Sequence, residues 1–186
     1  MSDSVIKIFI LDPSYPLDIN IDNIQVEAKD INKTKNDENV FISKAKKLQN
    51  GEGISLVGHS EEVTCLSISP SSYFLISASL DSTIRLWCIP NQSTIVIYKC
   101  LFGPQYCIKF AKLGHYFSSC GESNMVCIWR TSNVKPVRIM IGHVSTVYTI
   151  EYFPNMQYIA SGSEDKKIII WSVEKGEPSR ILLSPE

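Results

Sequence analysis

Short segments rich in β-branched and aromatic residues recur along the chain from residue 54 onward, and turn residues separate them. Residues 63–69 form one such segment, Pro70, Ser71 and Ser72 interrupt it, and residues 73–79 form the next. Runs of this length between Gly, Pro, Asn, Asp or Ser residues are typical of β-strands. Further strands are predicted at residues 54–57, 83–88, 94–98, 106–110, 116–120, 125–130, 137–140, 147–153, 158–163, 167–172 and 180–183. The pattern predicts an all-β fold.

The three tryptophans divide this pattern into repeats. Trp87, Trp129 and Trp171 stand 42 residues apart, and the Gly-His pairs at residues 58–59 and 142–143 are separated by twice that interval. A period of about 40–45 residues, with Gly-His near its start and Trp near its end, is typical of a four-stranded propeller blade. Repeats are therefore predicted at about residues 58–99, 100–141 and 142–183.

The start of the chain carries part of the same pattern. Residues 3–9 match residues 81–87 position by position in character, with Phe9 in the place of Trp87. Residues 1–10 are therefore interpreted as the third strand of a truncated blade, whose outer strand resumes near residue 54.

An interruption follows this first strand. Residues 11–50 are rich in Asn, Asp, Lys and Glu and keep neither a helical nor a strand period. That composition predicts a polar, largely disordered insertion, with a functional loop as the alternative. Residues 51–186 then form an incomplete propeller of about three whole blades, with partial blades at both ends. The chain is thus expected to be a fragment, or the product of a gene model that starts late.

Composition argues against two classes of partner. Lys and Arg together number 18 and Asp and Glu 19, a formal net charge of −1. Such a balance provides no broad attraction for nucleic acid or for an anionic membrane. The N-terminal apolar stretch lacks the basic region and cleavage site of a signal peptide, and no segment approaches the ~18 apolar residues of a membrane helix. Neither a membrane nor direct nucleic-acid contact is expected.

The six cysteines, at positions 65, 88, 100, 107, 120 and 127, include no CxxC pair and lie in or beside predicted strands. This pattern favours buried, reduced thiols of a cytosolic or nuclear protein. A zinc site or disulfides are the alternatives. No cofactor and no metal are predicted.

Over residues 52–186 the repeats resemble the WD-repeat family. In that family a His before the first strand, a Ser or Thr in the second, an Asp in the next turn and the Trp of the third form a hydrogen-bonded tetrad. The resemblance implies two tetrads here: His59, Ser77, Asp81 and Trp87, and His143, Ser161, Asp165 and Trp171. The chemistry is sound, because a hydroxyl can accept the indole N–H and donate onward, and a neutral imidazole can bridge hydroxyl to carboxylate.

The second repeat departs from this scheme. Cys100 and Leu101 stand where Gly-His is expected, Ser123 replaces the Asp, and only Ser119 and Trp129 remain of the tetrad. Losing His and Asp together is reasonable, because either group buried alone would lack a partner. This blade is expected to be the least well held of the three.

A catalytic Ser-His-Asp triad, as in hydrolases, is the most specific alternative to a structural role, because His, Ser and Asp occur together twice. The sequence contains no G-x-S-x-G elbow, and each Ser lies within a strand beside a Trp that also needs its oxygen. A triad repeated in two blades favours a structural role. The protein is therefore expected not to be an enzyme and to have no small-molecule substrate.

The amino-acid sequence of the middle repeat is similar to the WD-repeat region of the TFIID subunit 5 family. The similarity rests on Tyr98 and Lys99, on residues 114–117 (GHYF) and on residues 136–139 (PVRI), which precede the second Gly-His pair. It implies a nuclear, non-enzymatic scaffold in RNA polymerase II transcription initiation. The implied partners are histone-fold subunits of a TFIID-like complex and, in some lineages, a SAGA-type coactivator.

A second functional hypothesis stays open at this point. A WD-repeat adaptor of another complex, such as a ubiquitin-ligase substrate receptor or a trafficking scaffold, would carry the same repeats in the nucleus or the cytoplasm. In either case the blade-end loops are expected to share one face and to contact partner proteins. The residues predicted there are Ser60, Glu61, Glu62, Gly103, Gln105, Glu122, Asn124 and Ser145.

Overall fold

The computed structural model describes residues 4–8 and 54–183. The chain divides into two compact units, residues 1–5 with 56–186, and residues 6–55. The predicted insertion at 11–50 lies outside the described residues, as do the ends of the predicted strand at 1–10. A partial blade at the C-terminal end would begin at residues 184–186, which also lie outside them.

Every regular element in the described ranges is a β-strand. The strands are β1 Ser4–Ile8, β2 Ile54–His59, β3 Val63–Ile68, β4 Phe74–Ser79, β5 Thr83–Cys88, β6 Ser93–Lys99, β7 Gln105–Phe110, β8 Tyr116–Gly121, β9 Met125–Arg130, β10 Pro136–Ile141, β11 Val147–Tyr152, β12 Tyr158–Ser163, β13 Lys167–Ser172 and β14 Pro178–Leu183. The all-β prediction is confirmed. Within these ranges, no helix is long and apolar enough to cross a membrane.

Three antiparallel sheets of four strands follow one another along the chain, β3–β6, β7–β10 and β11–β14, and β1 pairs with β2 in a two-stranded sheet. Each strand of a four-stranded sheet pairs with the next in sequence, so short turns suffice. The turns between second and third strands all contain a residue with positive φ at the same repeat position: Ser82 (60°), Asn124 (62°) and Lys166 (65°). The sheets pack in series, with β3 and β4 against β7, and β7 and β8 against β11.

The outer strand of the third sheet begins earlier than the sequence predicts. Its first residue is Pro178 instead of residue 180, and Pro178 lies opposite Trp171. A tight turn explains the early pairing, because Gly176 adopts a φ of 73° and its amide donates to the Ser172 carbonyl at 2.8 Å. Glycine enters this left-handed region without steric penalty.

An aromatic group fills the core between the first and second sheets. Tyr98 of β6 is fully buried and meets Phe117 of β8 edge to face, with ring centroids 5.0 Å apart. Phe117 in turn stacks on Trp129 of β9 at 6.0 Å and 7°. The Tyr98 hydroxyl donates to the carbonyl oxygen of Thr131 at 2.6 Å, so this ring joins two sheets by both packing and hydrogen bonding.

The core between the second and third sheets is mostly aliphatic. Its buried members are Cys107, Cys120, Val126, Ile128, Met140, Val147, Ile150, Ile159, Ile169 and Trp171. Five of the six cysteines of the chain are buried, and Cys65 is half-buried. Burial raises the pKa of Cys127 to about 11 and that of Cys100 to about 12. These thiols are therefore protonated at neutral pH and pack as small apolar groups.

Truncation of the aromatic link between the sheets is expected to be severe. Tyr98→Ala should lower the free energy of unfolding by about 3–5 kcal/mol, because it opens a cavity beside Phe117 and Trp129. Urea unfolding followed by tryptophan fluorescence measures the change. Ile95→Ala on the same strand is the control, since that side chain is 48% exposed and its loss should cost far less. Equal losses in the two variants would show that Tyr98 does not carry this interface.

Candidate functional site

The first predicted tetrad is a continuous hydrogen-bonded chain in the structure. The Trp87 Nε1–H donates to Ser77 Oγ at 2.8 Å, and Ser77 Oγ lies 2.6 Å from His59 Nε2. On the other side of the imidazole, His59 Nδ1 lies 2.8 Å from Asp81 Oδ2. His59, Ser77 and Trp87 are all buried. The structure therefore brings together four residues that span 28 positions of the sequence.

The second tetrad repeats this geometry closely. Trp171 Nε1–H donates to Ser161 Oγ at 2.7 Å, and Ser161 Oγ lies 2.8 Å from His143 Nε2. His143 Nδ1 lies 2.8 Å from Asp165 Oδ2. Equal spacing in sequence thus corresponds to equal geometry in space.

One assignment of protons satisfies every member of each chain. The indole N–H donates to the serine oxygen, the serine O–H donates to a neutral imidazole at Nε2, and the imidazole Nδ1–H donates to the carboxylate. Both oxygens of Asp81 accept further hydrogen bonds. Oδ1 accepts from the backbone amide of Thr83 at 2.9 Å and from its hydroxyl at 2.6 Å, and Oδ2 accepts from the backbone amide of Ser60 at 3.2 Å. Buried polar groups that are fully paired in this way stabilise a fold.

Each tetrad connects two sheets. His59 is the last residue of β2, whereas Ser77, Asp81 and Trp87 belong to β4, the following turn and β5 of the next sheet. In the same way His143 follows β10 of the second sheet, and its partners belong to the third. The network therefore fastens the end of one outer strand to the second and third strands of the next sheet.

Steric contact with the tryptophan accounts for the glycine that precedes each histidine. A Cβ atom at Gly142 would lie 2.9 Å from Trp171 Cη2, and one at Gly58 would lie 3.2 Å from Trp87 Cη2 and would also meet the Arg85 guanidinium. Both separations are shorter than an ordinary van der Waals contact. The Gly-His pair of the sequence is thus explained by the ring that lies over it.

The middle sheet keeps only half of this arrangement. Trp129 Nε1–H donates to Ser119 Oγ at 2.9 Å, and both residues are buried. Leu101 stands at the histidine position but is 87% exposed, and the neighbouring Cys100 is buried instead. In this sheet Phe117 stacks on the face of Trp129, whereas in the other two sheets an imidazole meets the edge of the indole. It remains a prediction that this sheet is the least well stabilised of the three.

Burial and hydrogen bonding shift the pKa values of the tetrads in defined directions. Burial lowers the pKa of His59, although the hydrogen bond to Asp81 opposes the shift. Burial would raise the pKa of Asp81, but hydrogen bonds from Thr83 and His59 outweigh it and hold that pKa below its usual value. Burial would likewise raise the pKa of Asp165, but hydrogen bonds from His143 and from two backbone amides outweigh it and lower that pKa. The first pair, His59 and Asp81, is thus a neutral imidazole and a carboxylate.

The geometry does not suit the tetrads to nucleophilic catalysis. Ser77 is completely buried and Ser161 is 1% exposed. Each serine oxygen is occupied by an indole N–H and an imidazole, so no open face is left for a substrate carbonyl. Among the described residues, no group of His, Cys, Asp and Glu is placed to hold a metal ion.

The predicted partner-facing loops lie at one end of the strands and are bonded to each other in the same way in each sheet. Leu80 N donates to Glu62 O, Glu122 N to Pro104 O and Glu164 N to Thr146 O, at 2.9–3.1 Å. Among the predicted contact residues, Ser60, Glu61, Glu62 and Glu122 are exposed and Gly103, Asn124 and Ser145 are half-buried.

Gln105 differs from the other predicted contact residues. Its side chain is only 4% exposed, and its Nε2 donates to the carbonyl oxygen of Gly103 at 3.0 Å. The amide satisfies the backbone of its own loop, so Gln105 supports the loop and does not face a partner.

Two features escaped the sequence interpretation. Thr83 bonds both its amide and its hydroxyl to Asp81, and its position two residues after that Asp was an available signal. Lys109 of β7 and Glu151 of β11 form an ion pair at 2.8 Å between neighbouring sheets. They occupy equivalent positions in consecutive repeats, a relation that the spacing of 42 residues could have revealed.

Four-stranded antiparallel sheets in series, fastened by Trp-Ser-His-Asp chains, define a protein built from β-propeller blades. The profile of the family described as "WD domain, G-beta repeat" matches residues 52–88, 97–130 and 134–172. The chain belongs to this family. Each matched segment starts before the first strand of a sheet and ends at the last residue of its third strand. The sequence repeat is therefore offset from the sheet, as the tetrads require.

Curated relatives and solved structures agree with this assignment. Transcription initiation factor TFIID subunit 5 of Caenorhabditis elegans is 30% identical over 89 residues, which are 46% of this chain and 13% of that protein. WD repeat, SAM and U-box domain-containing protein 1 of Gallus gallus is 34% identical over 89 residues, 46% of this chain and 18% of that protein. The chain thus spans less than a fifth of either relative.

The solved structure of U3-55K superposes with a TM-score of 0.67 at 20% identity, covering 70% of this chain and 42% of that chain. At this identity the likeness shows the fold alone. The predicted incomplete propeller and the resemblance to WD-repeat proteins are confirmed.

Removal of one imidazole should destabilise the third sheet. His143→Ala is expected to lower the free energy of unfolding by about 1–3 kcal/mol, because Asp165 and Ser161 both lose the buried imidazole that is hydrogen-bonded to them. Chemical denaturation measures this change. Leu101→Ala, at the equivalent and exposed position of the second sheet, is the matched control and should alter stability by no more than about 0.5 kcal/mol. An unchanged His143→Ala variant would contradict a supporting role for the tetrad.

The first tetrad should make stability depend on pH below neutrality. Folding lowers the pKa of His59. At pH values below the unfolded-state pKa of about 6.5, the unfolded chain therefore binds more protons than the folded chain. The contribution of His59 to stability is therefore complete above that pH, and it is lost as the pH falls toward the pKa of His59 in the folded chain. Asp81, whose pKa is also lowered, adds a further loss only below about pH 3.9.

Unfolding free energies at pH 7.5 and pH 5.5 test this dependence. The decrease between the two pH values should be smaller in His59→Gln, which has no titrating imidazole at this position. The same decrease in variant and parent would assign the effect to another group.

Proposed function

We propose that this WD-repeat interaction scaffold is a non-catalytic subunit of the general transcription factor TFIID, acting in the nucleus in RNA polymerase II transcription initiation. The observation that carries the proposal is the 30% identity to TFIID subunit 5 over 89 residues. The sequence of the middle repeat supports the proposal, because residues 114–117 and 136–139 resemble that family. A role in a SAGA-type coactivator belongs to the same proposal.

The structure supports a scaffold by separating rigid sheets from exposed loops. The tetrads are buried and fully paired, so the ends of the strands keep their relative positions. The loops at one of these ends are exposed and differ in sequence between the sheets, as partner recognition requires. Histone-fold subunits of the complex are the proposed partners, and no cofactor, nucleic acid or membrane is needed for their binding.

A second candidate has an observation of its own. The relative from Gallus gallus, 34% identical over 89 residues, contains SAM and U-box domains according to its name. This likeness favours an adaptor of a ubiquitin ligase, with cytoplasmic or nuclear location, over a trafficking scaffold.

Affinity purification of the endogenous full-length protein that contains this chain separates the two candidates. Recovery of TFIID subunits is expected, and recovery of ligase or coat components without them would contradict the proposal. The matched controls are full-length forms with His143→Ala, which weakens a sheet, and with Leu113→Ser, which changes an exposed loop at the other end of β7. Partners held by the folded blades should be reduced in the first variant and retained in the second.

A further inference from the structure

The departure of the middle repeat places an apolar pair on the surface. The histidines of the other two repeats are 1% and 5% exposed, whereas Leu101 at the same position is 87% exposed. The next residue, Phe102, is 48% exposed. Single exposed apolar residues are common, but here two large ones are adjacent at a position that elsewhere contains a buried polar group.

The loop that carries this pair is anchored at both ends. Cys100 N donates to the carbonyl oxygen of Ser82 at 2.9 Å, and Glu122 N donates to that of Pro104 at 3.1 Å. Thr64 Oγ1 further donates to the carbonyl oxygen of Gln105 at 2.6 Å. Leu101 and Phe102 are therefore presented from a loop held between two sheets, and a ligand would bind it with little loss of backbone freedom.

Carboxylates accompany the apolar pair. Glu122 lies directly beside the loop, with a carboxylate oxygen 3.3 Å from the place of a Cβ on Gly103. Glu61 and Glu62 are exposed on the neighbouring loop, which is bonded to the turn before Thr83. In the described part of the chain none of the three carboxylates has an ion-pair partner, and Lys99 is the exposed cation nearest in sequence to the loop. Three carboxylates thus accompany the apolar pair, against one cation, Lys99, two residues before Leu101 in the chain.

We propose that Leu101 and Phe102, bordered by Glu122, Glu61 and Glu62, form a docking surface for a basic amphipathic segment of a partner protein. Apolar side chains of that segment would cover Leu101 and Phe102, and its Lys or Arg residues would face the carboxylates. The inference rests on the proposed scaffold function and adds the chemistry of the partner. A second copy of this chain fits less well, because its own carboxylates would meet those of the first.

A defined peptide pair tests the surface on the full chain. The probe is a fluorescein-labelled peptide of Lys and Leu at helical spacing, and the matched peptide carries Glu for every Lys. Fluorescence anisotropy should show binding of the Lys peptide only. Leu101→Ser combined with Phe102→Ser should weaken it about tenfold or more, because the apolar contact is lost. Glu122→Gln should weaken it about threefold and reduce its salt dependence.

Leu113→Ser is the matched control, since Leu113 is 81% exposed at the other end of β7, and it should leave the affinity unchanged. The inference is overturned by equal binding of both peptides, by equal effects of the Leu101 and Leu113 variants, or by self-association that requires Leu101. A denaturation curve for each variant shows that it is folded.

The outcomes for partner chemistry and for cellular role are independent. Recovery of TFIID subunits with a protein that carries both serine substitutions would contradict the docking surface alone. Peptide binding that depends on Leu101, together with recovery of ligase components, would contradict the TFIID proposal alone.

Discussion

The hydrogen bond between a buried tryptophan N–H and a serine oxygen is the constraint on which the sheets depend. Trp87, Trp129 and Trp171 all make it, at 2.7–2.9 Å. A buried indole without an acceptor would oppose folding, so the serine must lie within reach on the neighbouring strand. In each sheet it stands two residues after the residue that pairs with the Trp. In two sheets the same oxygen also meets an imidazole, and the imidazole meets a carboxylate. One local requirement thus extends into a chain of contacts that joins consecutive sheets.

The middle sheet shows what happens when this chain is shortened. Without His and Asp, the indole of Trp129 is supported by Phe117 and by Tyr98 from the preceding sheet. Aromatic packing needs no complete set of polar partners, so it tolerates the loss of two of them. The loop that would have carried the histidine is then free to expose other residues. The loss of His and Asp from the core of this blade and the exposure of other residues on its loop therefore have the same origin.

Function follows from this division between repeated core and variable loops. Relatives named for transcription initiation and for U-box domains have similar identity to this chain, 30% and 34% over 89 residues. The loop residues distinguish one repeat from the next. The proposed docking role is accordingly assigned to exposed positions such as Leu101 and Glu122, and the fold to the buried ones.

The sequence by itself determined the strands and the period of 42 residues, because strand propensity, turn residues and equal spacing are local or repeated signals. The members of both tetrads came from the resemblance of these repeats to the WD-repeat family. The sequence also indicated that the second repeat lacks His and Asp. Only the tertiary structure decided that each histidine ends or follows the outer strand of the preceding sheet, that Tyr98 fills the space beside Trp129, and that Gln105 turns inward. These features depend on how separate sheets pack, and the side chains that meet there are far apart in the chain, so no local pattern specifies them.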